Sequence, residues 1–166
     1  INKYGEIINK RNQNFRIQKA NPSIILAHKK DSFVLPAPEG FGIGSSKNFY
    51  FSHMLNCVYD CSYCFLQGMF NSANYLVFVN YEDYFKEIAK IINTNTNNRI
   101  CFFSGYDCDS LALDYLTNFV TNFVDFFSRY QNAFLEIRTK SVNIKPLFKF
   151  KPSKNIIIAY SINPQS

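Results

Sequence analysis

The sequence predicts an α/β protein with a parallel sheet that is buried on both faces. Strand-like and helix-like segments alternate from about residue 48 to residue 163. The strand-like segments, such as "NRICFFSG" (98–105), are continuous apolar runs, which is typical of strands covered by helices on both sides. Polar residues follow several of these strands, and sites in such sheets lie at the carboxyl ends of the strands. The sequence therefore predicts a functional site at one edge of the sheet.

Each element is predicted from its local pattern. Apolar side chains recur at helical spacing in "YEDYFKEIAKIIN" (81–93) and over the longer stretch 110–131, where Asp109 or Ser110 would be the cap. Runs of apolar and β-branched residues predict the strands, at 48–54, 74–80, 98–105, 133–140 and 155–163. The segment "NIKPLFKF" (143–150) reads as a short helix or turn.

Residues 1–47 are predicted to be a basic, loop-rich lead-in to a core formed by residues 48–166. Three prolines and the stretch "GFGIG" (40–44) indicate extended, irregular backbone. The Gly-x-Gly pattern is a weak signal for a phosphate loop, because no helix follows and no Lys-Ser/Thr pair closes it. The chain begins with Ile1 and stops just after an apolar run, so we expect it to be a piece of a longer protein.

Charge and cysteine content narrow the class of protein. The net charge of +6 is unevenly distributed, with +6 for residues 1–30, −6 for 31–136 and +6 for 137–166. The two basic ends could bind a phosphate backbone, or they could be ordinary solvated surface. No apolar run is long enough to span a membrane, and no secretory signal is visible. Five cysteines are an odd number, which argues against a disulfide framework and for a reduced, cytoplasmic protein.

Three cysteines crowd into "NCVYDCSYCF" (56–65), with Cys57, Cys61 and Cys64 at the spacing C-x3-C-x2-C. The positions could share one helix face, although the intervening residues are poor helix formers. With His53 they could form a Cys3His zinc site. They could also hold a [4Fe–4S] cluster through three thiolates, which leaves one iron free to bind a substrate or cofactor.

The motif, set after a strand in a βα chain, resembles the hallmark of the radical S-adenosylmethionine (SAM) superfamily. That resemblance implies a partial (β/α)6 TIM-like radical SAM barrel, of which this chain lacks the C-terminal strands. It also implies a [4Fe–4S] cluster whose open iron chelates SAM, and a reductant such as flavodoxin or ferredoxin. The organic chemistry would belong to the cofactor, and the protein would position it.

A larger part of the chain, from about Phe49 to Asn163, resembles the spore photoproduct lyase family. The likeness rests on four stretches in the family's order: "CSYCFLQG" (61–68), "DSLALDYLT" (109–117), "LEIRTKSVNI" (135–144) and "YSIN" (160–163). It implies DNA repair, in which a 5′-deoxyadenosyl radical starts the reversal of a UV-induced thymine–thymine adduct. UV-damaged DNA would then be the partner, with the oligomeric state left open.

The resemblance also assigns roles to residues. Cys57, Cys61 and Cys64 match the cluster ligands, and Cys108 lies at about the place of a cysteine that returns a hydrogen atom to the product radical. The positions that match SAM contacts are Tyr63, Phe65, Ser110, Lys140, Ser161 and Asn163. A lysine ammonium at a strand end suits the SAM carboxylate.

The chain departs from the family at two aromatic positions. Phe65 stands where the family often has Tyr, and Tyr106 stands where the superfamily often has a Glu that helps to hold the SAM amino group. Two other functions remain open: a radical SAM enzyme with a different substrate, and a non-enzymatic zinc or nucleic-acid binding module.

Overall fold

A computed structural model describes residues 3–163, which form a mixed α/β fold with two sheets. The strands are β1 (Ile24–Ala27), β2 (Leu35–Pro36), β3 (Lys47–Phe51), β4 (Met54–Leu55), β5 (Tyr75–Phe78), β6 (Ile100–Ser104), β7 (Ala133–Thr139) and β8 (Ile156–Tyr160). The α-helices are α1 (Gly5–Ile8), α2 (Phe15–Ala20), α3 (Tyr81–Asn93), α4 (Asp114–Thr117) and α5 (Phe119–Phe127). Short 3-10 helices cover Phe65–Gly68 and Lys145–Lys149.

The larger sheet has the strand order β2-β3-β6-β7-β8, and the last four of these strands run parallel to one another. The predicted parallel sheet is confirmed for those four strands, and only β2 is antiparallel to its neighbour. Their carboxyl ends therefore lie at one edge. A smaller sheet has the order β1-β5-β4, with β4 antiparallel to β5.

One aromatic-rich core joins both sheets to α3 and α5. The predicted helix 81–93 is confirmed with the same bounds, and it buries Tyr81, Tyr84, Ile88 and Ile92 along one face. On α5, Phe123 stacks on Phe51 of β3 with ring centroids 5.1 Å apart. Such aromatic pairs contribute about 0.5–1.5 kcal/mol each beyond the burial of their area. Within the described residues, no helix has the length and apolarity that a bilayer crossing requires.

Two predicted elements are divided in the structure. The strand predicted at 48–54 ends at Phe51, and the chain then enters the smaller sheet as β4. The single helix predicted over 110–131 is wrong, because Asn118 adopts a left-handed conformation (φ 49°) between α4 and α5. The Asp114 carboxylate accepts the Val120 N–H at 2.7 Å, which compensates the interruption of helical hydrogen bonds.

The lead-in contains more regular structure than the sequence predicted. β1 pairs in parallel with β5, and both Ile8 and Ala27 are buried in the core. Proline and glycine mark local irregularity but carry no information about pairing with a strand some fifty residues away. The division at residue 47 into a lead-in and a core stays a prediction.

Candidate functional site at the strand ends

The three clustered cysteines lie on a loop that begins directly after β4. Asn56 has a left-handed backbone (φ 71°), a conformation that asparagine tolerates, and its side-chain amide donates to the carbonyls of Ser72 and Asn74 at 2.7 and 2.8 Å. No helix forms between Cys57 and Cys64, so the shared helix face considered above is wrong.

All three thiols face one cavity of about 380 Å³ at the carboxyl ends of the parallel strands. Among the predicted site residues, its lining includes Cys57, Cys61, Cys64, Phe65, Cys108, Lys140 and Ser161. The five cysteines form no disulfide, and the three clustered ones are half-buried. Burial raises the pKa of the Cys57 thiol to about 11. The structure thus brings together residues that are up to 104 positions apart, from Cys57 to Ser161.

The strand-end part of this cavity is organised by Asp109, which lines it and is buried after β6. One carboxylate oxygen accepts the N–H groups of Leu111 and Ala112, both at 2.9 Å. The predicted helix cap at Asp109 or Ser110 is wrong, because α4 begins only at Asp114 and no side chain among the described residues caps it. The same Asp109 oxygen accepts the Thr139 hydroxyl at 2.7 Å, and the other accepts the Lys140 N–H at 2.6 Å. Asp109 therefore fixes where Lys140 leaves β7.

Ser110 lies below the cavity rather than on its surface. It is 1% exposed, and its hydroxyl is 2.7 Å from that of Ser104, which donates to the Glu136 carbonyl. Gly105 passes directly above it with φ 71°, and a Cβ there would lie 2.5 Å from the Ser110 hydroxyl oxygen. Ser110 thus supports the floor of the cavity.

Lys140, Ser161, Asn163 and Tyr63 form one polar group. The Lys140 ammonium donates to the Asn163 side chain at 2.6 Å and to the Ser161 carbonyl at 3.0 Å. The Tyr63 hydroxyl bonds the same Asn163 oxygen. Contact with the Tyr63 hydroxyl raises the pKa of Lys140, so the ammonium stays charged. The structure connects the cysteine loop to the ends of β7 and β8 through this group.

Cys108 lines the cavity but is only 6% exposed, and its sulfur lies 3.9 Å from Nδ1 of His53. Its side chain packs with Met54, Val77 and Leu113. Burial raises the pKa of Cys108 and lowers that of His53 to about 3, so both side chains are neutral. The pair is therefore a thiol beside a neutral imidazole rather than a thiolate–imidazolium pair.

Phe41 and Glu136 were not singled out from the sequence. Phe41 lines the cavity together with Tyr106 and Arg138, and Glu136 is 2% exposed beneath Arg138. An acidic residue inside the apolar run "AFLEIRT" was the available signal, because a buried carboxylate requires a partner. Cys101, which has 0% exposure in β6, is a core residue, as its position in a strand indicated.

The three clustered thiols are donors of the kind that an iron–sulfur cluster would use. Among residues 3–163, no three His, Cys, Asp or Glu side chains converge closely enough to hold a single metal ion. A zinc site needs four ligands at about 2.0–2.3 Å from one ion. His53 is fully buried and stacked on Phe119, with ring centroids 4.1 Å apart. Three thiols that line one cavity would suit a cluster, where each cysteine binds a different iron.

The fold and the cavity define an α/β protein in which thiols and a lysine line one cavity at the strand ends. The family model described as spore photoproduct lyase matches residues 45–166, and the chain belongs to the spore photoproduct lyase family.

Curated and solved relatives agree with this assignment. The spore photoproduct lyase of Geobacillus sp. (strain Y412MC61) is 26% identical over 108 residues, which are 64% of this chain and 32% of the relative. A solved spore photoproduct lyase complexed with dinucleoside spore photoproduct has a TM-score of 0.74 at 18% identity, covering 93% of this chain and 44% of its own. A solved mutant with bound AdoMet and dinucleoside spore photoproduct has a TM-score of 0.73 at 19% identity, with coverages of 89% and 42%. The chain spans less than half the length of these relatives, and the structural likeness shows the shared fold.

Proposed function

We propose that this chain forms part of a radical SAM lyase that reverses a UV-induced thymine dimer in DNA. The observation that carries the proposal is the cavity that Cys57, Cys61 and Cys64 share with Lys140 and Ser161. In this proposal the four parallel strands belong to a partial (β/α)6 barrel that further strands of a longer protein extend. Free cysteines are consistent with a reducing cytoplasm.

The three thiols would hold a [4Fe–4S] cluster, and the polar group around Lys140 would hold SAM. When bound, the reduced cluster and SAM supply a 5′-deoxyadenosyl radical, with an electron from a donor such as flavodoxin or ferredoxin. Lys140 keeps its charge and faces the same cavity as the thiols, so its ammonium can pair with the SAM carboxylate. Ser161, Asn163 and Tyr63 orient that ammonium, and Phe65 supplies an apolar surface beside it.

Cys108 is the proposed hydrogen donor to the product radical. A hydrogen atom can leave only from the protonated thiol, and burial raises the pKa of Cys108 and so keeps that form. The neutral His53 at 3.9 Å does not remove the proton. Because the side chain is only 6% exposed, the product radical has to reach the wall of the cavity at this point.

The proposed substrate is a dinucleotide lesion in DNA, flipped toward the strand ends. Solved members of the family are complexed with dinucleoside spore photoproduct, which supports this choice. The basic segments 1–30 and 137–166 supply cations for the phosphate backbone.

Cluster content is tested first, on the complete protein purified without oxygen. We expect about four irons and four sulfides per chain with a reduced-state EPR signal, all lost in a Cys61→Ser variant. A Cys101→Ser variant is the matched control, because this thiol is buried in β6 and does not line the cavity. Stoichiometric zinc without iron would contradict the proposed enzymatic function and favour a non-enzymatic binding module.

Repair is tested next, with spore-type UV-damaged DNA, SAM and a reductant. We expect thymine to be restored, and a Cys108→Ala variant to divert the product radical to other adducts while SAM cleavage continues. SAM cleavage without thymine restoration in the parent protein would point to a radical SAM enzyme with another substrate. Unchanged products in the variant would remove Cys108 from the mechanism.

A further inference from the structure

A second cavity, of about 250 Å³, opens beside the cysteine cavity on the side of the "GFGIG" loop. We call it the aromatic annex, and its main walls are Phe41, Tyr50, Phe103, Tyr106 and Arg138. Four of these five residues, all except Tyr50, also line the cysteine cavity. The annex is therefore continuous with the proposed reaction site, although no residue from the cysteine loop lines it.

The walls of the annex are flat, aromatic and accessible. Tyr106 packs on Tyr50 with ring centroids 4.2 Å apart, and it is itself 39% exposed. Phe41 is 60% exposed at the tip of the loop. Aromatic faces that are presented to solvent next to a cavity suit a planar heteroaromatic ring, because each stacked base is worth about 1–3 kcal/mol in nucleic-acid binding proteins.

The loop itself is built to lie close against β3. A Cβ at Gly42 would lie 2.9 Å from the side-chain nitrogen of Asn48, so a side chain at this position would push the loop outward. A strand, β3, follows the loop, so the loop lacks the helix N-terminus that a phosphate loop uses. Its role in the structure is to hold Phe41 opposite the strand ends.

The single charged group on these walls is Arg138, and a buried acid holds it in place. Its Nε and Nη2 both donate to one carboxylate oxygen of Glu136, at 2.9 and 2.7 Å. Glu136 is 2% exposed, whereas half of the Arg138 side chain is exposed. The remaining guanidinium nitrogen, Nη1, has no hydrogen-bond partner among the described residues. A guanidinium fixed in this way is preorganised for a phosphate.

We infer that the aromatic annex binds a thymine nucleotide of the substrate, with the base between Phe41 and Tyr106 and its phosphate on Arg138. The inference rests on the proposed function and names the part of the chain that recognises the substrate. The cation favours a nucleotide over the adenosyl group of SAM, because the adenosyl group carries no anion, the sulfonium is positive, and the SAM carboxylate is already proposed to pair with Lys140.

The test compares thymidine 5′-monophosphate with thymidine, two probes that differ only in the phosphate. Binding to the complete protein is measured by calorimetry, which requires no turnover. We expect the monophosphate to bind about tenfold more tightly, and this preference to fall below about twofold in Arg138→Gln. Phe41→Ala should weaken both probes by about tenfold, because stacking is lost while the phosphate contact remains.

Two control variants distinguish a specific loss of binding in the aromatic annex from a general loss of folded protein. Tyr115→Ala and Arg129→Gln alter an exposed tyrosine and an exposed arginine on the helices and should change neither affinity. Phe41 lies on an exposed loop, so its variant keeps the proposal testable if Arg138→Gln destabilises the fold by leaving Glu136 unpaired. Arg138→Lys should retain part of the phosphate preference.

Two outcomes would overturn the inference. In the first, Arg138→Gln still binds the monophosphate about tenfold more tightly than thymidine, and Phe41→Ala binds both probes as tightly as the parent protein. The other is S-adenosylhomocysteine competing with the monophosphate and being weakened by both variants, which would assign the annex to the cofactor. A protein that shows the expected binding but repairs no lesion would refute the proposed function and leave the annex as a nucleotide site.

Discussion

The two sides of the cysteine cavity are held in different ways. On the strand-end side, buried groups bond one another densely, and Asp109 alone accepts four hydrogen bonds. On the cysteine-loop side, residues 57–64 are half-buried or exposed, and their side-chain bonds to the rest of the chain lie on exposed groups: the Tyr63 hydroxyl on Asn163 and an ion pair between Lys19 and Asp60. Buried hydrogen bonds therefore fix the strand-end side, whereas the contacts that hold the cysteine loop are exposed to solvent.

The largest effect should come from Asp109→Ala. It would leave buried donors of Leu111, Thr139 and Lys140 without acceptors, which we expect to lower the free energy of unfolding by about 4 kcal/mol. Asp109→Asn keeps one carbonyl oxygen as an acceptor, so it should lower the free energy of unfolding by about half as much. Urea denaturation measures both, with Asp125→Ala on the exposed face of α5 as a control. Equal, small losses in all three would show that the strand-end wall is not organised by Asp109.

Gly105→Ala probes the same wall through sterics. The new Cβ would meet the Ser110 oxygen at 2.5 Å and the Cys108 carbonyl at 3.0 Å, in a backbone with positive φ. We expect the free energy of unfolding to fall by about 3 kcal/mol, because the alanine is strained in the left-handed conformation and overpacks the site. Gly44→Ala is the matched control, since Gly44 has φ 83° but nothing within 4 Å of its Cβ, and about 1 kcal/mol is expected there. If the two variants were equally stable, contact with Ser110 would not matter.

The core behind Cys108 should respond to pH through His53. Its folded pKa of about 3 lies below the ordinary value of 6.5, so at intermediate pH only the unfolded chain takes up this proton. Stability from this group is complete above about pH 6.5 and is lost as pH falls, by about 2 kcal/mol between pH 7 and pH 5. The free energy of unfolding should be measured against pH for the wild type and for His53→Leu. The wild type should lose this additional stability between pH 7 and pH 5, and the variant should not. Parallel curves would contradict the burial of a neutral His53.

The smallest effect should come from the cysteine-loop side, in Asp60→Asn. The Lys19–Asp60 pair is 2.7 Å long, but both side chains are about half exposed. An exposed pair of this kind contributes about 0.5 kcal/mol or less, and salt should screen it. Thermal melts at low and high salt would measure the difference. A loss above about 1.5 kcal/mol would mean that the loop is anchored as firmly as the strand ends.

The sequence predicted much of the fold where the signal was local or strictly periodic. The helix at 81–93 has the predicted bounds, and the four parallel strands lie where their apolar runs indicated. The break at Asn118 was not predicted, because the apolar residues keep helical spacing on both sides of it. The one left-handed residue is Asn118, and the Asp114 carboxylate accepts a backbone N–H at the start of the second helix. The pairing of β1 with β5 was missed, since a strand of four residues has little local signal.

The cysteine spacing and the polar strand ends are visible in the sequence, and they predicted the family, which the family model confirms, together with the proposed cluster and Lys140 as a proposed cofactor contact. Tertiary structure decided which side chains share a cavity. It placed Ser110 beneath the floor, turned the Cys108 sulfur toward His53, and brought Phe41, Tyr106 and Arg138 together around the annex. The physical reason is that strand register and backbone conformation set the direction of each side chain. Those depend on contacts between residues far apart in the chain, which no local pattern contains.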